Sequence, residues 1–133
     1  MGAMTPGGRV YTLVRQESLN GLHCIEFLLH LLRVAGDRLL VIWDGSPIHR
    51  RAEVKEFLGS KAGRGIWVER LPGYAPDLNP CEGLWANLKG GALANRAEET
   101  IGQVAEIAHR SARRAAHNQQ LLFGFLAQTG LSF

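Results

Sequence analysis

Apolar residues recur at helical spacing in the segment that follows Asn20. Over residues 21–34 they form a broad apolar face, and Asn20 is a residue type that caps helix N-termini. Gly36 marks the end of this segment, as glycines often do at the ends of helices. The same spacing predicts three further helices, over residues 50–59, 80–89 and 100–118.

Short β-branched and aromatic runs between these segments predict three strands, over residues 10–14, 38–43 and 66–68. Leu39 to Ile42 is apolar without alternation, which predicts a central strand covered on both faces. Strands and helices alternate along most of the chain. This order predicts an α/β layer fold whose sheet is largely parallel after the first element.

Size and charge restrict the class of protein only loosely. The chain has 133 residues, of which 46% are hydrophobic, so we expect one modest globular domain and not a disordered chain. The formal net charge is +3. This mild basicity is compatible with nucleic-acid binding and does not establish it.

The N-terminus has no secretory signal, and no apolar run reaches the roughly 20 residues of a membrane span. We therefore expect a soluble cytoplasmic protein with a flexible segment over residues 1–8. Cys24 and Cys81 have no second cysteine pair beside them. They are expected to be free thiols in a reducing compartment, without a disulfide framework or a structural zinc site.

Residues 119–133 carry no charge. Among the large apolar residues of this tail, we expect five to pack back on the body of the protein or onto a partner. They are Leu121, Leu122, Phe123, Phe125 and Leu126.

Asp44 directly follows the apolar strand. The carboxyl ends of strands in α/β folds are where ligands and metals bind, so Asp44 is a candidate ligand. Asp-Gly-Ser-Pro is equally good turn chemistry, and a turn aspartate is the alternative interpretation. His49 faces either the same pocket or solvent.

Glu82 also has two interpretations. With Asn79 as the N-cap and Pro80 at the first helical position, Glu82 occupies the third, which is the capping-box arrangement. The same position holds a carboxylate rigidly near a preceding strand end, as a metal ligand requires. Trp85, one turn later, is expected in the core, and Lys89 is either an exposed lysine or a phosphate contact.

Two segments, residues 40–50 (LVIWDGSPIHR) and residues 71–85 (LPGYAPDLNPCEGLW), resemble motifs of the DDE transposases of the mariner and bacterial insertion-sequence type. Residues 40–50 resemble the strand-Asp-Asn-x-x-x-His motif, with Gly45 in place of Asn. Residues 71–85 resemble Leu-Pro-Pro-Tyr-Ser-Pro-x-Leu-Asn-Pro-Ile-Glu-x-x-Trp, with Gly73 and Cys81 as departures. The spacing between the two motifs is also close to that of the family.

The resemblance implies a truncated RNase H-like fold, with a mixed sheet flanked by helices over residues 9–90 and a helical C-terminal extension over residues 91–133. It implies that Asp44 and Glu82 are the second and third acidic residues of the site, both catalytic and metal-binding. The implied cofactor is Mg²⁺ or Mn²⁺, because a pair of such ions promotes phosphodiester cleavage and strand transfer.

The first acidic residue of the family pattern has no clear counterpart. The acidic residues before Asp44 are Glu17, Glu26 and Asp37, and none lies on a predicted strand of the right type. The family's first strand would lie beside the strand that ends at Asp44. Without it, this strand would expose an apolar edge, so we expect pairing with an upstream transposase segment, a homodimer, or a rearranged sheet.

Two functions follow as hypotheses. The first is a transposase segment that acts with an upstream part on DNA at insertion-sequence ends, near the bacterial nucleoid, and is inactive alone. The alternative is a non-catalytic remnant, or a module that binds DNA or transposase and inhibits transposition. His49 and Lys89 are possible accessory residues, and the possible DNA contacts are Arg50, Arg51, Arg110, Arg113 and Arg114.

Overall fold

The computed structural model describes residues 1–73, 75–91, 94 and 100–130. Within these ranges the chain has five α-helices and two small sheets. The strands are β1 (Gly2–Met4), β2 (Val10–Thr12), β3 (Leu39–Trp43) and β4 (Ile66–Arg70). The helices are α1 (Gly21–Val34), α2 (Ala52–Gly59), α3 (Pro80–Gly90), α4 (Ile101–Ala116) and α5 (Gln119–Gln128). None of the helices in these ranges is long and apolar enough to cross a membrane.

The chain divides into two compact units. The first unit contains Met1 and Ser18–Ala75, and the second contains Gly2–Glu17 and Pro76–Phe133. The border near residue 75 falls inside the segment 9–90 that the sequence predicts as one catalytic domain.

The first unit is built on a parallel pair of strands. β3 pairs with β4 in a register that runs from Leu39 opposite Ile66 to Trp43 opposite Arg70. The prediction of parallel strands is confirmed here. The inward face of this pair, together with residues of α1 and α2, forms one hydrophobic cluster, whose buried members are Cys24, Leu28, Trp43, Val54 and Ile66.

The other face of this pair is not covered. Leu40 and Ile42 are 65% and 50% exposed, and Trp67 on β4 is 52% exposed. The expectation that β3 is covered on both faces is therefore wrong. The physical reason is that the first unit's cluster draws on alternate residues of each strand, so that one face of a continuous apolar run stays open in the described part of the chain.

Helix α1 begins and ends where the sequence predicts. The Asn20 side chain accepts hydrogen bonds from the backbone N–H groups of Leu22 and His23, and the His23 side chain accepts from the Asn20 N–H. This reciprocal capping box stabilises the start of the helix. Helix α2 begins two residues later than predicted, because Pro47–Arg50 forms a separate 3₁₀ turn and Arg51 is extended.

The second unit starts with a hairpin. β1 and β2 pair antiparallel, and the turn between them is closed by the Thr5 N–H donating to the Arg9 carbonyl, with Gly8 at φ +74°. Gly2–Met4 is thus a strand, contrary to the flexible segment expected over residues 1–8. Because this local hairpin engages β2, the described residues form two two-stranded sheets and not one mixed sheet.

Helices α3, α4 and α5 form the core of the second unit. Its buried residues are Leu84, Leu88, Ala112, Ala115, Leu122 and Phe125. The partly buried Trp85 packs against them, as predicted for a core residue. The apolar tail also packs back on this unit through Leu122, Phe125 and Leu126, whereas Phe123 is exposed.

The α1 helix offers two leucines that differ mainly in burial. Leu28 is 2% exposed and Leu22 is 66% exposed. We expect Leu28→Ala to lower the free energy of unfolding by roughly 2–5 kcal/mol, because it removes buried methyl groups and leaves a cavity. Leu22→Ala should change it by less than about 0.5 kcal/mol. Urea denaturation followed by circular dichroism measures both, and equal losses would contradict the described packing.

Candidate active site

Asp44 lies immediately after the last residue of β3, where the backbone turns. Its Oδ1 accepts a hydrogen bond from the Ser46 backbone N–H at 2.9 Å and lies 3.2 Å from His49 Nδ1. This is the geometry of an aspartate-stabilised turn. The turn occupies one carboxylate oxygen only, since no partner of Oδ2 is found among the described residues. Asp44 therefore has a turn role and retains an oxygen for a ligand.

His49 is held against Asp44 by the 3₁₀ turn Pro47–Arg50. Its Nδ1 is also 3.2 Å from the Asp44 backbone oxygen. Both of these Asp44 oxygens accept hydrogen bonds, so His49 donates to them only if Nδ1 carries a proton. In the neutral ring Nε2 is then the hydrogen-bond acceptor. The His49 side chain is 18% exposed and that of Asp44 is 47% exposed, so the alternative of a solvated loop histidine does not hold.

Trp43 also belongs to this site, although the sequence predicts it only as the last residue of a strand. Its ring stacks on the His49 imidazole, with centroids 4.3 Å apart and planes 5° from parallel. Its Nε1 is buried without a hydrogen-bond partner among the described residues. The signal was available in the sequence, because an aromatic residue directly precedes the aspartate. The stack fixes the orientation of the ring that contacts Asp44.

Glu82 lies in the first turn of α3 and is exposed. The Asn79 side chain accepts from the Cys81 N–H at 3.1 Å, and the Asn79 N–H donates to the Pro76 carbonyl at 2.9 Å. The predicted capping box is therefore absent: the 3₁₀ turn Pro76–Leu78 already engages the donor that Glu82 would accept. The Glu82 carboxylate has no partner among the described residues.

The predicted basic residues are all on the surface. Lys89, in the last turn of α3, is exposed, as are Arg50 and Arg51 in the first unit. Arg113 and Arg114 are exposed on α4. Arg110 differs from them, because its guanidinium pairs with Glu106 at 2.8 Å one turn earlier on the same helix.

The predicted acidic residues are not assembled into a metal cluster within one unit. Asp44 belongs to the first unit and Glu82 to the second. Glu26 is exposed on α1, and Asp37 precedes β3, at the end of the strand opposite to Asp44. Glu17 is exposed in a bend of the second unit. Among the described residues no three His, Cys, Asp or Glu side chains are grouped to hold a metal, and Tyr74 of the second motif lies outside them.

The model of one protein family, described as DDE superfamily endonuclease, matches residues 1–105. This range contains Asp44, Glu82 and most of both units. The chain belongs to the DDE superfamily endonucleases. Members of this family act on DNA and generally use divalent metals. No curated protein and no solved structure matches this DDE endonuclease chain.

The absence of a capping box in the DDE chain can be tested by a double-mutant cycle. We expect Asn79→Ala to cost roughly 1 kcal/mol of stability, because it removes the N-cap of α3. Glu82→Ala should cost no more than the roughly 0.3–1 kcal/mol of a carboxylate near a helix N-terminus. Since Asn79 and Glu82 share no side-chain hydrogen bond, the two costs should add in urea denaturation. A coupling energy above about 0.5 kcal/mol would indicate a capping box after all.

The two thiols should differ in reactivity. Burial raises the pKa of the Cys24 thiol to about 11, so about one part in a thousand is thiolate at pH 8. Cys81 is only partly buried and precedes Glu82. We expect Cys81 to react with a thiol reagent at least about tenfold faster in the folded chain. Cys81→Ser should remove the fast phase and Cys24→Ser should leave it; the reverse result would contradict the assignment.

Proposed function

We propose that this chain is part of a transposase of the mariner and bacterial insertion-sequence type, which cleaves DNA strands and transfers them at insertion-sequence ends. Asp44 and Glu82 are the catalytic, metal-binding carboxylates in this proposal. The observation that carries it is that both residues occupy the acidic positions of the two motifs and both retain oxygens without partners among the described residues.

The donor chemistry at these positions fits a hard divalent cation. Asp44 and Glu82 offer carboxylate oxygens, and Mg²⁺ and Mn²⁺ prefer oxygen ligands. When bound, such ions activate the attacking oxygen and stabilise the leaving oxygen of a phosphodiester. His49 has an accessory role in this proposal: its Nδ1 contact holds the Asp44 carboxylate in one orientation.

The proposed site needs a further acidic residue. An upstream transposase segment would contribute it, together with the first strand of an RNase H-like sheet, next to β3. The uncovered face of β3 supports this part of the proposal, because Leu40 and Ile42 are large apolar residues that a complete domain would bury. The chain alone is then inactive or nearly so.

Exposed basic residues would contact the DNA backbone and neutralise phosphates. Arg50 and Arg51 follow the Asp44 turn directly, and Lys89 lies two turns after Glu82 on α3. Arg113 and Arg114 are better candidates than Arg110, whose guanidinium is already paired with Glu106. In this proposal the chain binds DNA through these residues and acts at the bacterial nucleoid, where that DNA is located.

A second function is favoured by one observation. The described residues contain no group of three metal-binding side chains, and this favours a module that binds DNA ends or transposase without cutting. In this alternative, the chain is a remnant or an inhibitor that competes with the full-length enzyme. The two hypotheses differ in whether the upstream segment restores cleavage.

The decisive assay is metal-dependent nicking of DNA that carries the inverted-repeat ends, with the chain alone and with the upstream segment added. We expect nicking only in the combined reaction with Mg²⁺ or Mn²⁺. Asp44→Asn and Glu82→Gln should each lower the rate roughly 10²–10³-fold, because each loses part of the several kcal/mol that metal coordination contributes.

Glu56→Gln is the matched control, since Glu56 is an exposed carboxylate on α2 outside both motifs. It should nick at the rate of the unmodified chain. Activity that survives Asp44→Asn would remove the site assignment. Binding of the DNA ends without nicking in the combined reaction would favour the inhibitory module.

A further inference from the structure

One edge of β3 is unpaired in the described part of the chain. The Leu39 N–H donates to the Gly65 carbonyl at 2.8 Å, and the Trp43 carbonyl accepts from the Leu71 N–H at 2.9 Å. Odd-numbered residues of β3 thus direct their backbone polar groups towards β4. Because successive residues of a strand alternate, Leu40 and Ile42 direct theirs to the opposite edge, along which no described strand pairs.

The side chains next to this edge are apolar and exposed. Leu40 and Ile42 lie on the uncovered face of β3, beside Trp67 of β4. Arg38 lies on the same side, with its guanidinium carbon 5.5 Å from the centre of the Trp67 ring. An apolar strand with a free row of backbone donors and acceptors is a template for pairing with another strand.

We propose that two copies of this chain pair antiparallel through β3, with the twofold axis at Val41. In this register Leu40 lies opposite Ile42 of the second copy, and Ile42 opposite Leu40. Both residues direct their N–H and C=O groups outward, so each such pair exchanges two hydrogen bonds. Val41 faces Val41 of the second copy as a pair without hydrogen bonds, where the strands approach most closely.

Charge complementarity selects this axis. With the axis at Val41, Arg38 of each copy lies opposite Asp44 of the other. An axis at Leu40 would place Arg38 opposite Ile42, and an axis at Ile42 would place Asp44 opposite Leu40. An axis between residues would set outward-directed backbone groups against inward-directed ones and lose the hydrogen bonds. Arg38 and Asp44 flank β3 directly on its two sides, and opposite charges that face each other at both ends of a strand pair stabilise its register, so the Val41 axis is preferred.

Asp44 can accept this contact without losing its own. Its Oδ1 is engaged by Ser46 and His49, and its Oδ2 has no partner among the described residues. Arg38 is exposed and makes no ion pair with a described residue. The pairing does not rest on the proposed function, because it requires neither DNA nor metal.

The first test is the mass of the chain in EDTA, by light scattering or sedimentation at micromolar concentration. We expect a dimer. Arg38→Asp should raise its dissociation constant at least about tenfold, because two carboxylates then face each other on both sides of the axis. The charge-swapped variant Arg38→Asp with Asp44→Arg should restore the affinity. Arg64→Asp, at an exposed position in the turn before β4, is the control and should leave the dimer intact.

A monomer of the unmodified chain would overturn the proposal. So would a dimer that Arg38→Asp does not weaken, or one that the charge swap does not restore. Arg38 is exposed, and Asp44 has a 47% exposed side chain and lies outside every described helix, so circular dichroism should show unchanged helix content in these variants.

The second test locates the axis by disulfide cross-linking. Val41→Cys faces itself across the axis, within the Cα separation that a disulfide spans. Leu40→Cys and Ile42→Cys each face a residue without a thiol. We expect an oxidised covalent dimer with Val41→Cys alone, and none from Cys24 and Cys81 in the unmodified chain. Cross-linking at Leu40→Cys or Ile42→Cys instead would overturn the register.

Discussion

The parallel pairing of β3 with β4 is the constraint on which the first unit depends. The register from Leu39 opposite Ile66 to Trp43 opposite Arg70 aligns the inward residues of both strands on one face. That face joins α1 and α2 in a single hydrophobic cluster. Trp43 closes the cluster at the end of β3, so the next residue, Asp44, leaves the core at a defined point and carries a carboxylate into solvent.

The same pairing creates the uncovered face. Burying the odd-numbered residues of β3 leaves Leu40 and Ile42 outside the cluster. Both faces of the strand are apolar, and α1 and α2 cover only one of them. A segment that adds a strand at the free edge of β3 would pair the outward-directed backbone groups of Leu40 and Ile42, whether it comes from an upstream part of a transposase or from a second copy. Both segments would use the same backbone groups, so an upstream segment would displace the second copy from β3.

A different constraint sets the Glu82 carboxylate. The 3₁₀ turn Pro76–Leu78 accepts the Asn79 N–H, and the Asn79 side chain caps α3 through Cys81. Glu82 is consequently not needed for capping and stays available. The choice between the two interpretations of Glu82, helix cap or available carboxylate, is thus made locally by the 3₁₀ turn Pro76–Leu78 that precedes the helix.

The positions of α1, α3 and α4 were largely predictable. Each helix has a capping residue at its N-terminus and apolar residues at helical spacing, and both features are local in the sequence. The candidate carboxylates Asp44 and Glu82 follow from the two motifs alone, and their role at the site stays a prediction. The Trp43–His49 stack was not, because the ring positions depend on how the Pro47–Arg50 turn folds back. The hairpin of β1 with β2 was missed because Gly2–Met4 has little strand propensity and is held by its partner.

By itself, then, the sequence determined the type and order of the elements from β2 to α4 and the two acidic motifs, through short-range propensities and spacing. Only the tertiary structure decided which faces are buried, since burial depends on what packs against each element. Leu39 to Ile42 illustrates the difference: four apolar residues in a row specify a strand, but the cluster with α1 and α2 decides which of them face solvent.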